Sequence, residues 1–369
     1  MAYWGIRASA HRGVVTWAPT VDPEVMKCVS NDLVREAGVH TLFHCWAVAA
    51  ITTPAASQPL GVGGQGPGAG AFPSLTPDPR PLTPGSGEAR VAGVIFESKE
   101  GRLALLARFT IDCTGDGDVF AAAGAAFESD FDSTTIHARV NTSFRFGNVD
   151  MPRYLDFRLN QPQAHNELMR QAAAAGVDLR VHATAYDSVA LFMTPKFSGY
   201  SAIKVADLTE VEFLSRDAMR AGLAWFRAHV PGFERAWILD TAPQIGTRHS
   251  RRLAGVEKVT MSHWRASGRY PDSIGLCPGL TPEFPTLEIP YRCLVPRALE
   301  GLLAAGRNLS CDPQTHNPLR EVPECWVMGQ GAGVAAALAV RDGVALRAVP
   351  VPELKAKLRR QGAIVDPPA

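Results

Sequence analysis

The sequence predicts an α/β chain with a second, α+β lobe set into its middle. Three observations carry that prediction. Strand-like runs over residues 39–52, 90–98 and 102–113 follow one another with turn-formers between them, the pattern of a three-stranded antiparallel meander. Two apolar runs end in glycine turns, at Thr114-Gly115 and at Gly306-Arg307. Ligands of open α/β sheets lie at such carboxyl ends of strands. Between about residues 131 and 282 the texture changes to alternating runs such as Val140-Asn141-Thr142-Ser143-Phe144, mixed with helical segments.

The first helix is expected after Asp22-Pro23-Glu24. These residues supply a capping carboxylate, a proline suited to the first turn and an acid at the positive dipole end. Val25, Val29 and Leu33 repeat on one face, and Gly38 closes the segment. After the meander, Asp118 is placed to cap a short helix over 119–126. In the middle segment, Thr209-x-x-Glu212 reads as a capping box opening a helix that runs to His229, ahead of Pro231-Gly232. The last part reads as strands over 286–295 and 301–305, a loop over 306–319, a long helix over 322–341 and a short helix opening at Pro352.

Composition narrows the function classes. The 369 residues are 46% hydrophobic and 20% charged, which suits two globular domains, or one large domain with an insertion, and excludes fibrous or wholly disordered chains. The 37 Lys+Arg against 36 Asp+Glu leave a net charge of +1, which argues against a nucleic-acid binder. No apolar run approaches the roughly 18 residues of a membrane span. Residues 1–7 lack the basic-then-apolar pattern of a secretory leader, so a cytoplasmic location is expected. The 7 Cys include no CxxC pair, which supports neither a disulfide framework nor a zinc or iron–sulfur site.

Glycine needs care. Residues 53–90 hold eight Pro and eight Gly and few large apolar side chains, as expected of a flexible surface insertion. The match to GxGxxG at Gly61-Val62-Gly63-Gly64-Gln65-Gly66 lies inside this stretch, with neither the strand before it nor the helix after it that phosphate binding needs, and is rejected. Gly329, Gly331 and Gly333 lie too deep in the long helix to expose N–H groups and read as packing positions. Arg248, Arg251 and Arg252 crowd one segment, as an anion site or a set of structural ion pairs. In a strand, Arg248 and Arg252 would share a face and Arg251 would lie opposite. His249 and His316 are candidates for proton transfer by location.

Taken in order, three segments resemble the FAD-dependent oxidoreductase family of the glutathione-reductase-like flavoproteins. They are Ile111-Asp112-Cys113-Thr114-Gly115-Asp116-Gly117-Asp118, then Ile245 to Arg252, then Ile289 to Pro296 with Leu303-Ala304-Ala305-Gly306-Arg307 and Met328 to Gly333. The flavin-carrying A subunits of heterodisulfide reductase are more distant relatives, and their cysteine clusters are absent from this sequence. The resemblance implies FAD as cofactor and hydride transfer between a small, anionic organic substrate and flavin N5, while the cysteine spacing leads to the expectation of no metal. It implies that Thr114, Gly115, Asp116 and Gly117 line the FAD edge, that Gly306 and Arg307 sit beside the ribityl, and that Arg320, Glu321, Val322 and Pro323 lie near the isoalloxazine. The middle lobe would cover the flavin face, with Arg248 as an anion partner and His249 and His316 as further catalytic candidates. Two wordings depart from the family: His249 stands where Glu is usual, and the loop from Ser310 to His316 differs.

The expected fold is therefore an FAD-binding Rossmann-like domain with the meander and an α+β substrate lobe. The domain would be discontinuous, over 1–130 and 283–350, with the lobe at 131–282 and a C-terminal helix and tail at 351–369. The family's opening strand–GxGxxG–helix unit has no counterpart before the Asp22 helix, so the expectation is a domain lacking its first βαβ unit. The alternative is a non-catalytic fragment, or a subunit whose dinucleotide unit comes from a separate partner chain.

Overall fold

The computed structural model describes residues 7–11, 14–54, 89–129, 139–277 and 286–367, with the backbone alone given for 7–20. The Pro/Gly-rich 53–90 stretch and its GxGxxG match fall almost wholly outside the described residues. The chain divides into two compact units, one of Met1–Thr41 with Phe131–Arg248 and one of Leu42–Asp130 with His249–Ala369. This division sets residues 1–41 with the middle segment, and residues 249–282 and the C-terminal helix with the flanking unit.

In the first unit, a four-stranded antiparallel sheet has the order Trp237–Thr241, Phe144–Gly147, Val189–Phe192, Val181–Ala183. Phe144, Phe146 and Phe192 on its inner face meet Phe226 and Phe233 in an aromatic cluster. Phe226 comes from the helix Val205–His229. That helix starts one turn before the predicted capping box. Thr209 lies inside it and donates its hydroxyl back to the Val205 carbonyl at 2.7 Å, so it is not the cap. The first helix, Pro23–Glu36, begins as predicted, with Asp22 accepting from the Glu24 N–H at 2.8 Å. Its apolar repeat is not buried: no residue of the helix is, and Leu33 is 60% exposed.

In the second unit, Ala89–Ser98 pairs antiparallel with Trp46–Pro54 on one side and Gly101–Leu106 on the other. Residues 39–45 precede the first strand as irregular chain. The predicted 102–113 strand breaks after Leu106. Its second half, Thr110–Asp112, leaves the meander and pairs in parallel with Leu302–Ala304. The strand Leu287–Pro290 is likewise shorter than predicted, giving way to a 3-10 turn over Tyr291–Leu294. The long helix, Val322–Asp342, packs its buried face with the strand Ser273–Cys277 and the helix Val351–Arg360 into one apolar core. Gly331 is the packing glycine there, since a Cβ on it would meet Ile274 at 2.5 Å, whereas Gly329 and Gly333 have nothing within 4 Å. Among the described residues, no helix is long and apolar enough to cross a membrane.

Candidate functional site

The site grows from the parallel pair Thr110–Asp112 and Leu302–Ala304. Both strands leave the sheet at the same end into left-handed glycine turns, Gly115 at φ 78° and Gly306 at φ 117°. Glycine adopts such angles without the Cβ clash that other residues suffer.

Asp112, only 1% exposed, organises the first turn. One carboxylate oxygen accepts from the Thr114 N–H at 3.0 Å and the Thr114 hydroxyl at 2.6 Å, and the other from the Phe120 N–H at 2.9 Å. Thr114 Oγ1 in turn accepts from the Asp118 N–H at 2.9 Å. The helix Asp118–Ala122 is therefore capped from Asp112 and Thr114, and the cap position falls on Gly117 rather than on Asp118. The second strand exit is tied to the first, since the Ala305 N–H and Asn308 Nδ2 both donate to the Asp112 carbonyl, at 3.0 and 3.1 Å.

Arg307 crosses from the second turn to the first. Its Nη1 lies 3.0 Å from Asp116 Oδ1, and a Cβ on Gly115 would come within 2.6 Å of its Nη2. The same carboxylate oxygen accepts from Ser250 Oγ at 2.6 Å, while Arg251 Nη1 donates to the Asp116 carbonyl at 2.8 Å and to Asp118 at 2.9 Å. The arginine-rich segment thus clamps the acidic turn. Its strand covers only Arg251–Leu253, so Arg248 shares no strand face with Arg252. Arg252 is buried and donates from Nε to the Cys311 carbonyl at 3.0 Å.

His316 supports Arg307 from behind. Its Nε2 is 2.6 Å from the Arg307 carbonyl, which can only accept, so Nε2 carries the proton and Nδ1 is left as an acceptor. No partner for that Nδ1 is found among the described residues. The His249 ring packs edge-on against it, with centroids 4.2 Å apart. Burial first, then His249 and the Arg252 and Arg320 cations, hold His316 well below the usual histidine range.

Arg320 follows the short helix His316–Leu319, with Nη2 on Asn317 Oδ1 at 2.8 Å and Nη1 3.3 Å from Glu321. Glu321 takes the N-cap position of the long helix without capping it through its side chain, Pro323 lies in the first turn, and Val322 is exposed. Burial pushes the neighbouring Glu324 carboxyl up from the usual glutamate range.

The structure therefore joins Thr114, Gly115, Asp116, Gly117, Gly306, Arg307, His249 and His316 in one unit, together with the 320–323 helix start. Arg248 lies in the other unit, where its Nη1 donates to Asn141 Oδ1 at 3.1 Å and the Arg139 carbonyl at 3.3 Å. Sequence reasoning missed Asp112, Ser250 and Asn308. The one available signal was an acid at the end of an apolar strand, just before Cys-Thr-Gly. Among the described residues, no group of three or more His, Cys, Asp or Glu is arranged to hold a metal ion.

No curated protein matches the chain. A family model of FAD dependent oxidoreductases matches residues 81–358, which span both strand exits, the arginine-rich segment and the start of the long helix. The chain belongs to the FAD dependent oxidoreductase family, whose cofactor is FAD.

Proposed function

We propose that this chain oxidises or reduces a small anionic organic substrate by hydride exchange with flavin N5. The observation that carries this reading is the pair of adjacent parallel strands ending in left-handed glycine turns, bridged by Arg307 and Asp116. Such a strand-end crevice is where open α/β sheets take nucleotide ligands.

The residues suit FAD. Asn308 Oδ1, His316 Nδ1 and Arg320 Nε, all on the segment after Gly306, are buried polar atoms with no hydrogen-bond partner among the described residues. Unsatisfied groups of this kind are uncommon in native proteins, and a polar cofactor accounts for them. In this reading Thr114 to Gly117 hold the pyrophosphate and ribityl edge, with Gly115 allowing backbone to approach closely. Gly306 and Arg307 flank the ribityl, and Arg307 adds a fixed cation. The start of the Val322–Asp342 helix offers its positive dipole end to negative charge on the reduced pyrimidine ring. His316 positions the Arg307 backbone, and the Phe131–Arg248 segment holds the substrate.

When bound, FAD would supply the ring that accepts hydride in one direction and, once reduced, returns it in the other. The test is purification of the full chain with added FAD, followed by anaerobic titration with candidate substrates. Bound flavin whose yellow absorption bleaches on substrate addition is the expected result. Protein that takes up no flavin defeats the reading.

A further inference from the structure

The unit formed by Met1–Thr41 and Phe131–Arg248 contains a set of hydrogen-bond donors that the fold has fixed without giving them acceptors. Val140 and Asn141 lie between two neighbouring segments. Val140 exchanges both backbone hydrogen bonds with Phe197, at 3.0 and 2.8 Å, and the Asn141 carbonyl accepts from the Gly246 N–H at 2.7 Å. The approach to Gly246 is close, for a Cβ there would sit 3.1 Å from the Asn141 carbonyl oxygen. The backbone at 140–141 is thus held from both sides.

The Asn141 side chain is held as well. It is 1% exposed, and its Oδ1 accepts from Arg248 Nη1 at 3.1 Å. This bond fixes which end of the amide is oxygen, because a guanidinium can only donate. Nδ2 then presents its two N–H donors elsewhere, and no acceptor for them is found among the described residues. Two residues earlier, on the same side of an extended chain, Arg139 Nε is also buried and without an acceptor. Leaving a buried donor unpaired costs about 1–3 kcal/mol, more for a charged group, so two together call for a ligand.

We propose that Asn141 and Arg139 form a carboxylate-binding subsite for the substrate, with Arg248 as the residue that orients Asn141. The chemistry selects the ligand class. The two unpaired groups on this side of the segment, Asn141 Nδ2 and Arg139 Nε, are donors, so the partner is an acceptor, and the permanent charge of the guanidinium makes it an anion. The donors come from a strand-like segment rather than from a helix N-terminus or nest of backbone N–H groups, the usual cradle for phosphate. A planar carboxylate needs only such a pair of side-chain donors.

The subsite rests on the reading of this segment as the substrate-holding part of a flavoprotein, yet carboxylate binding can be measured without turnover. Succinate and, separately, inorganic phosphate are titrated calorimetrically into the full FAD-loaded chain, and flavin occupancy is read from its absorption. Asn141→Asp keeps the shape but replaces the N–H donors with an anionic oxygen. It is expected to weaken succinate binding at least tenfold with flavin occupancy unchanged. Arg248→Lys, which loses the fixed guanidinium geometry, is expected to weaken it by a smaller factor and serves as the second test should Asn141→Asp misfold. Absence of saturable succinate binding to the flavin-loaded wild type overturns the subsite while leaving the flavin reading intact. So does unchanged affinity in a folded Asn141→Asp variant, or phosphate binding as tight as succinate. A chain that binds succinate but no flavin fails the flavin reading alone.

Discussion

The guanidinium of Arg307 lies over Gly115, so that a single added carbon at Gly115 would come within 2.6 Å of Nη2 while Nη1 stays 3.0 Å from Asp116. Two constraints therefore meet at one glycine. The backbone is left-handed at φ 78°, and the space above it is filled by the end of a charged side chain.

Gly115→Ala tests both. An ordinary residue in the left-handed region costs roughly 1–2 kcal/mol, and the new methyl displaces Arg307 from Asp116. FAD affinity is expected to fall tenfold or more, while the thermal midpoint drops only a few degrees, as a cost of that size implies for a chain of this length. Fluorescence titration of apoprotein with FAD measures this. Wild-type affinity in Gly115→Ala would show that the turn does not approach the cofactor.

Ser250→Ala removes a donor from the other side of the same carboxylate. Ser250 is buried and its hydroxyl lies 2.6 Å from Asp116 Oδ1. Hydrogen bonds to charged acceptors contribute about 1.5–3 kcal/mol, and the half-buried position of Asp116 lets water replace part of that. A loss of about 1–2 kcal/mol in urea unfolding is expected, with a smaller loss in an Asp116→Asn background, since the two residues are coupled. Additive losses would mean the contact contributes nothing of its own.

Much of the second unit could be read in advance because its signals are local. The run at 90–98, the first half of the run at 102–113, the turn-formers between them and the long helix all declare themselves within a window of a dozen residues, although the break after Leu106 does not. The clamp on Asp116 could not be read, because Ser250 and Arg251 reach it across 134 and 135 residues of sequence. Local pattern showed an arginine-rich segment, and only tertiary structure shows which of its members hold a turn. The first helix erred in the opposite direction. Val25, Val29 and Leu33 repeat as a core face should, but burial depends on what the rest of the chain sets against it, and Leu33 remains exposed. Asn141 gave no signal, since an amide in an alternating run is indistinguishable from a surface position until its neighbours are known.

His316 makes the stability of the protein depend on pH. Its folded pKa is depressed, chiefly by burial, so the unfolded chain binds a proton that the native imidazole refuses. The stability this group contributes is complete above about pH 6.5 and falls by up to about 1.4 kcal/mol per pH unit below it. His316→Gln keeps a donor for the Arg307 carbonyl and cannot titrate. Urea unfolding of both proteins from about pH 8 to 5 is expected to show a steeper acid loss for the wild type. Parallel curves would mean that His316 is protonated as readily in the fold as outside it.

Glu324 works with the opposite sign. Burial raises its carboxyl above the ordinary value of about 4.3, so its contribution is fully present below that pH and is lost as the pH rises through the folded pKa. At neutral pH the wild type bears the cost of a carboxyl that is only 5% exposed and whose Oε2 has no partner among the described residues. Glu324→Gln keeps the shape and removes the titration. It is expected to raise the thermal midpoint at about pH 7, with the advantage shrinking toward pH 4. Because Glu324 lies in the first turn of the helix proposed to face the flavin, a permanently neutral residue there also leaves the helix dipole unopposed. FAD affinity should therefore hold or rise in the variant. A lower midpoint at pH 7 together with weaker FAD binding would mean that the carboxylate makes a necessary contact.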